Sequence, residues 1–123
     1  MSRQIIAAVD DMFFASKIRA TAEHLGAQVQ FARSVESVIE ASHESAPALI
    51  IVDLHSQKCD PFALAVKLKS DEETRAIPLI GFFSHVQTAL MQQAQTAGYD
   101  RVMPRSAFTK QLPDILQLNL IGD

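Results

Sequence analysis

Residues 48–53 read ALIIVD, an apolar run that ends in an aspartate. A strand that is apolar at every position, and not only at alternate ones, is typical of a strand covered on both faces of a sheet. Pro47 stops the preceding segment from continuing as a helix. We therefore predict that residues 48–53 form the central strand of the fold.

The segments on both sides of this run alternate between strand and helix patterns. Short apolar or alternating runs predict four further strands, at residues 4–9, 28–31, 78–83 and 101–103. Helical spacing predicts five helices, whose inward-facing residues are Phe14, Ile18, Ala22 and Leu25; Val35, Val38, Ile39 and Ser42; Phe62, Ala65, Val66 and Leu68; residues within 86–97; and Leu112, Ile115, Leu116 and Leu120.

Local signals mark several helix ends. Ser34 and Asp60 are favoured N-cap residues, and Pro61 suits the first position of a helix. Gly26 and a second glycine at position 98 are suited to end helices, because glycine readily adopts the left-handed conformation of a C-terminal cap. Pro113 leaves the start of the last helix undefined.

Five strands alternating with five helices predict an α/β fold, a doubly wound five-stranded parallel sheet with helices on both faces and right-handed crossovers. In such open sheets, ligands bind beyond the carboxyl ends of the strands, where the strand order reverses. Residues that follow the strands are therefore the candidates for function.

The composition limits the classes of protein. A length of 123 residues predicts one domain, 1–123, acting alone. A net charge of −3 with scattered Lys and Arg argues against direct binding to nucleic acid. No apolar run approaches the roughly 18 residues that a membrane span needs. The one cysteine, Cys59, excludes an internal disulfide and favours a reducing cytoplasm, and no histidine pair has helical zinc spacing.

Acidic residues end two of the predicted strands: Asp10 and Asp11 follow the first, and Asp53 ends the third. These carboxylates should meet at one edge, where their mutual repulsion predicts a cation site. Oxygen ligands favour Mg²⁺, a common partner of phosphate. The alternative is that these aspartates are solvated or cap helices.

Three motifs carry a resemblance that spans essentially the whole chain: VDD at 9–11, IIVD at 50–53, and TAGYDRVMPRSAF at 96–108. With these motifs the chain resembles the receiver domains of two-component response regulators, which have a flavodoxin-like fold. The resemblance implies that Asp53 accepts a phosphoryl group from a histidine kinase or phosphotransfer protein. It further implies that Asp10, Asp11, Asp53 and the backbone carbonyl of His55 bind Mg²⁺.

The sequence departs from this family where the phosphoryl group would be bound. The family's Thr or Ser after the fourth strand is replaced by Phe83, with Ser84 one position later. Ser84 is either a phosphate contact or the N-cap of the next helix. The family's Lys becomes Arg105, which either pairs the phosphate or is a surface arginine, and the proline after it becomes Ser106. The aromatic residue of the fifth strand becomes Val102.

The loop after Asp53 departs as well, with Gln57 where the family prefers Pro and Pro61 where it prefers Gly. Two functions fit this pattern. The first is a stand-alone receiver that is phosphorylated on Asp53 and signals by binding a further protein, and a homodimer is compatible with it. The second is a degenerate receiver that acts as a phosphorylation-independent interaction module.

Enzymes of similar architecture fit less well, so we expect no enzymatic activity. A phosphatase of the haloacid dehalogenase type needs an acidic residue two positions after its nucleophile, where this chain has His55. A flavodoxin needs a loop rich in Ser, Thr and Gly after the first strand, where this chain has DDMFF at 10–14.

Overall fold

The structure, a computed structural model, describes residues 3–84 and 87–118. Its strands are β1 (Gln4–Ala8), β2 (Gln28–Phe31), β3 (Leu49–Asp53), β4 (Leu79–Phe83) and β5 (Arg101–Pro104). They form one parallel sheet in the order β2-β1-β3-β4-β5, and all five residues of the central strand β3 are buried. The strand order reverses between β1 and β3. The predicted fold class and central strand are thus confirmed.

Five helices connect the strands: α1 (Met12–His24), α2 (Val35–Ser45), α3 (Pro61–Ser70), α4 (Thr88–Ala97) and α5 (Arg105–Leu116). Two predicted caps are confirmed. The Ser34 hydroxyl accepts a hydrogen bond from the amide of Ser37, and the Ser37 hydroxyl accepts one from the amide of Ser34. Asp60 caps α3, and Pro61 is the first residue of that helix. Among the described residues, no helix has the length and apolar character that crossing a membrane requires.

Two helix starts differ from the prediction. Helix α4 begins at Thr88 rather than at 86, and Val86 lies outside the described residues. Helix α5 begins seven residues before the predicted stripe, at Arg105, and continues through Pro113. It starts early because Phe108, fully buried, adds an inward-facing turn ahead of the stripe. Leu120 of that stripe lies outside the described residues.

The helices cover the sheet in two layers, and each layer closes one hydrophobic core. Helices α1 and α5 pack on one face, where Ile51 contributes from β3. Helices α2, α3 and α4 pack on the other, where Val52 contributes. At the carboxyl end of the first core, three rings pack together: Phe82 lies 5.1 Å from Phe14 and 4.8 Å from Phe108, centroid to centroid. Both faces of β3 are therefore covered up to its last residue.

Lys69 ties three segments together at the opposite edge of the sheet. Its Nζ donates to the carbonyl oxygens of Arg75 and Ile77, at 3.1 and 3.2 Å, and to Oδ2 of Asp100 at 3.0 Å. The same Asp100 oxygen accepts a bond from the amide of Leu79 at 2.8 Å. One ammonium group thus connects the end of α3, the segment before β4 and the start of β5.

We expect Lys69→Met to lower the free energy of unfolding by about 1.5 kcal/mol, because it removes three charge-assisted hydrogen bonds that are partly exposed. Lys67→Met is the matched control, since Lys67 is an exposed lysine of the same helix. Urea denaturation measures both. Equal losses in the two variants would contradict the role of Lys69.

Candidate functional site

Asp53 ends the central strand, and its side chain is the buried carboxylate of the site. The residue is 9% exposed, and its Oδ1 accepts a hydrogen bond from the backbone amide of His55 at 2.9 Å. Burial raises the pKa of Asp53, and the negative charge of Asp10 adds to the rise. The His55 amide and the positive charge of Arg105 act in the opposite direction. A cation placed beside this carboxylate would offset its loss of hydration.

Asp10 follows β1 and faces the loop between β3 and α3, residues 54–60. Its Oδ1 accepts a hydrogen bond from the Ser56 hydroxyl, and its Oδ2 accepts one from the Gln57 amide, both at 3.0 Å. Ser56 in turn accepts a bond from the amide of Cys59 at 3.1 Å. Both oxygens of Asp10 are therefore bonded to the loop that follows Asp53.

The two carboxylate oxygens of Asp11 have different partners, the start of α1 and Arg105. Its Oδ1 caps α1 by accepting from the amides of Phe13 and Phe14, at 2.9 and 3.3 Å. Its Oδ2 accepts from Nη2 of Arg105 at 2.9 Å. The Arg105 guanidinium also lies over the Phe14 ring, with Cζ 4.0 Å from the centroid. The bond from Arg105, followed by the amide bond from Phe14, lowers the pKa of Asp11.

Asp10, Asp11 and Asp53 thus lie at the predicted edge of the sheet, but the oxygens of the three carboxylates do not converge on one point. Within residues 3–84 and 87–118, one triplet of metal-ligating side chains has its ligand atoms within 4.8 Å of one another, and it does not include Asp10, Asp11 or Asp53. The physical reason is that Asp10 is bonded to the loop and Asp11 to α1 and Arg105. The donor set still suits Mg²⁺, which accepts a few carboxylate oxygens and keeps several waters.

The Ser84 hydroxyl, which the sequence offered as a phosphate contact, lies beyond the end of β4. Phe83 is the last residue of β4 and is 2% exposed, within the core under α2, α3 and α4. Ser84 is exposed. The N-cap of α4 is Gln87, so the alternative prediction that Ser84 caps this helix was wrong. Val102 is partly buried and packs against the same core as Phe83.

The triplet with converging ligand atoms is His43, Asp71 and Glu73, which sequence reasoning missed. His43 Nε2 lies 2.7 Å from Asp71 Oδ2, and Nδ1 lies 3.8 Å from Glu73 Oε2. It joins the end of α2 to the turn after α3, at the edge of the sheet opposite Asp53. His43 and Asp71 are 28 positions apart, so no local pattern signals the contact.

Cys59 is buried in the core beneath the loop. Burial, with the charges of Asp10, Asp60 and Glu36, raises the pKa of Cys59 to about 11. The thiol is therefore protonated at neutral pH and unsuited to nucleophilic chemistry.

We expect Asp53→Asn to raise the free energy of unfolding at pH 7. Because the folded pKa of Asp53 is raised, the folded state disfavours the ionised form, and this penalty disappears as the pH falls below the ordinary value of 3.8. The gain from the substitution should therefore shrink between pH 7 and pH 4. Urea denaturation with EDTA present measures it.

Asp60→Asn serves as the control for this substitution, because Asp60 is an exposed carboxylate at the end of the same loop and asparagine also caps helices well. It should show no such gain. If Asp53→Asn were no more stable than the wild type at pH 7, burial would not be setting the behaviour of this carboxylate.

Comparison with known proteins identifies the fold of this chain. No family model and no curated protein matches the sequence. Among solved structures, the chemotaxis response regulator CheY4 of Vibrio cholerae has 14% identity and a TM-score of 0.83, with 98% of this chain and 100% of that chain covered. A response regulator from Hahella chejuensis has 17% identity and a TM-score of 0.86, with 97% and 96% covered.

A third similar structure is the receiver domain of a sensor histidine kinase from Pseudomonas aeruginosa, described with a magnesium ion coordinated in its active-site cleft. It has 17% identity and a TM-score of 0.83, and the match covers 96% of this chain and 97% of that one. All three matches extend over nearly the whole of both chains. The chain therefore has the fold of a response-regulator receiver domain.

Proposed function

We propose that this chain is a receiver domain of two-component signalling that accepts a phosphoryl group on Asp53. The observation that carries the proposal is the placement of Asp53. It is a buried carboxylate at the end of the central strand, held at one oxygen by the His55 amide and acted on by the charges of Asp10 and Arg105. The phosphoryl donor would be a histidine kinase or a phosphotransfer protein, and the output would be binding of a further protein.

The transfer uses one oxygen of Asp53 as the nucleophile. We assign this role to Oδ2, since the His55 amide holds Oδ1. The new bond joins this oxygen to phosphorus, and the phosphorus–nitrogen bond of the donor phosphohistidine breaks, with its electron pair passing to the imidazole. Such a reaction needs mainly positioning and neutralisation of charge. Burial at the end of a covered strand supplies the positioning.

Neutralisation would come from Arg105 and from a cation. The guanidinium already acts on Asp53 through its charge and is anchored by Asp11 and by the Phe14 ring. Asp10, Asp11, Asp53 and the His55 carbonyl would hold Mg²⁺, which supplies positive charge to the phosphoryl oxygens.

The second candidate is a receiver fold that binds partners without phosphorylation. Three observations favour it: Phe83 offers no hydrogen-bond donor and is buried in the core, Ser84 lies exposed beyond the strand, and Arg105 is already paired with Asp11. We rank it second because the buried carboxylate of Asp53, whose ionised form is disfavoured by its burial, would have no purpose in such a module.

Incubation with acetyl phosphate and Mg²⁺ should add one phosphoryl group, as measured by intact mass. The adduct should disappear in Asp53→Asn and remain in Asp60→Asn, because Asp60 is bonded to the first amides of α3. EDTA should reduce the yield at least about tenfold, the scale on which loss of charge neutralisation slows such transfers. An adduct that survives in Asp53→Asn would place the nucleophile elsewhere, and no adduct at all would favour the second candidate.

Beryllium fluoride with Mg²⁺, which mimics an acyl phosphate, should shift amide signals strongly around Asp53 and weakly from Leu90 to Ala97 and at Val102. The reason is that Phe83 cannot follow a phosphoryl oxygen by hydrogen bonding, and the loss of such a bond removes about 1.5–3 kcal/mol of coupling. Two-dimensional NMR measures both regions. Equally large shifts in both would show that Ser84 or Arg105 provides the coupling.

A further inference from the structure

The loop after Asp53 holds Asp10 by both carboxylate oxygens. The Ser56 hydroxyl donates to Oδ1 and the Gln57 amide donates to Oδ2, each at 3.0 Å. Ser56 is 9% exposed, and its oxygen also accepts from the Cys59 amide. Hydrogen bonds to an ionised acceptor are stronger than those between neutral groups. Asp10 is therefore held in one orientation, towards the loop.

The bond from residue 57 depends on the backbone and not on the side chain. Gln57 is exposed, and the donor is its amide nitrogen. A proline at this position would have no N–H to give. The identity of residue 57 thus decides whether Oδ2 of Asp10 has this partner, and the hydroxyl of Ser56 decides the same for Oδ1.

The loop has other anchors that do not involve Asp10. The amide of Ser56 donates to the Asp53 carbonyl at 3.0 Å, and the His55 amide donates to the Asp53 side chain. Cys59 is fully buried, and Asp60 caps α3. The loop can therefore stay folded when Asp10 leaves it, which makes the contact separable from the fold.

We propose that Ser56 and the Gln57 amide form a latch that keeps Asp10 on the loop and competes with a divalent cation for this carboxylate. The inference rests on the proposed function, since it concerns the same cation site. In the latched arrangement, the oxygens of Asp10, Asp11 and Asp53 do not converge among the described residues. Asp10 is held by the loop and Asp11 by α1 and Arg105, so drawing these carboxylates towards one cation competes with those bonds. Residues 56 and 57 thus set the affinity of the site.

The test is the dissociation constant for Mg²⁺, measured by calorimetry and by amide NMR on the full chain. Ser56→Ala and Gln57→Pro should each bind Mg²⁺ about tenfold more tightly, the scale of one hydrogen bond to a charged group. Gln57→Ala keeps the amide and Ser56→Thr keeps a hydroxyl, so both should bind as the wild type does. Mg²⁺ should also speed hydrogen exchange at the Gln57 amide in the wild type, because the cation frees that donor.

Thermal unfolding of each variant shows whether a change in Mg²⁺ affinity comes from loss of the latch or from a general loss of structure. Ser56→Ala still provides the test if Gln57→Pro does not fold. Unchanged or weaker binding in the folded latch variants would overturn the inference. If the wild type bound Mg²⁺ with the same affinity as these variants, the latch would fail while the proposed function stood. If no variant bound Mg²⁺ at millimolar concentration, both would fail.

Discussion

The burial of one carboxylate, at the end of β3, is the constraint on which the rest of the site depends. Asp53 is placed there because both faces of its strand are covered, up to the packed rings of Phe14, Phe82 and Phe108. A carboxylate removed from water needs donors or positive charge nearby, or else it becomes protonated. The surroundings supply the His55 amide and the charge of Arg105, yet the pKa of Asp53 stays raised. Further positive charge beside Asp53 would therefore favour its ionised form.

The planar guanidinium of Arg105 suits its position between the Phe14 ring and Asp11. The guanidinium lies on the Phe14 ring and at the same time donates to Asp11, which caps the helix that carries Phe14. A lysine could place a charge there but could not stack and donate with one rigid group. The start of α5 is thereby fixed to the start of α1 across the carboxyl edge of the sheet. Movement of Arg105 towards a phosphoryl group would loosen both contacts.

The features that sequence predicts here are those set by near neighbours along the chain. The apolar run 48–53 gave the central strand, and the caps at Ser34 and Asp60 follow from bonds within three residues. Contacts between distant segments were not predictable: the Asp10 bonds to the loop span 46 and 47 positions. The start of α4 was not predictable for a different reason: its N-cap residue, Gln87, makes no side-chain capping hydrogen bond that the sequence could signal.

Packing behind Asp53 extends to the corner between α4 and β5. A side chain at Gly81 would meet Leu54 Cδ2 at 2.8 Å and Tyr99 Cδ1 at 3.0 Å, so these two residues fill the space above it. Leu54 directly follows Asp53, and the buried Tyr99 hydroxyl donates to the carbonyl of Pro61 at 2.8 Å. Tyr99 is therefore an aromatic residue fixed inside the core, while Val102, which packs against the same core, is small. A movement at Asp53 would reach this corner through close packing and not through a ring free to rotate, and close-packed interiors resist small displacements until they rearrange as a whole.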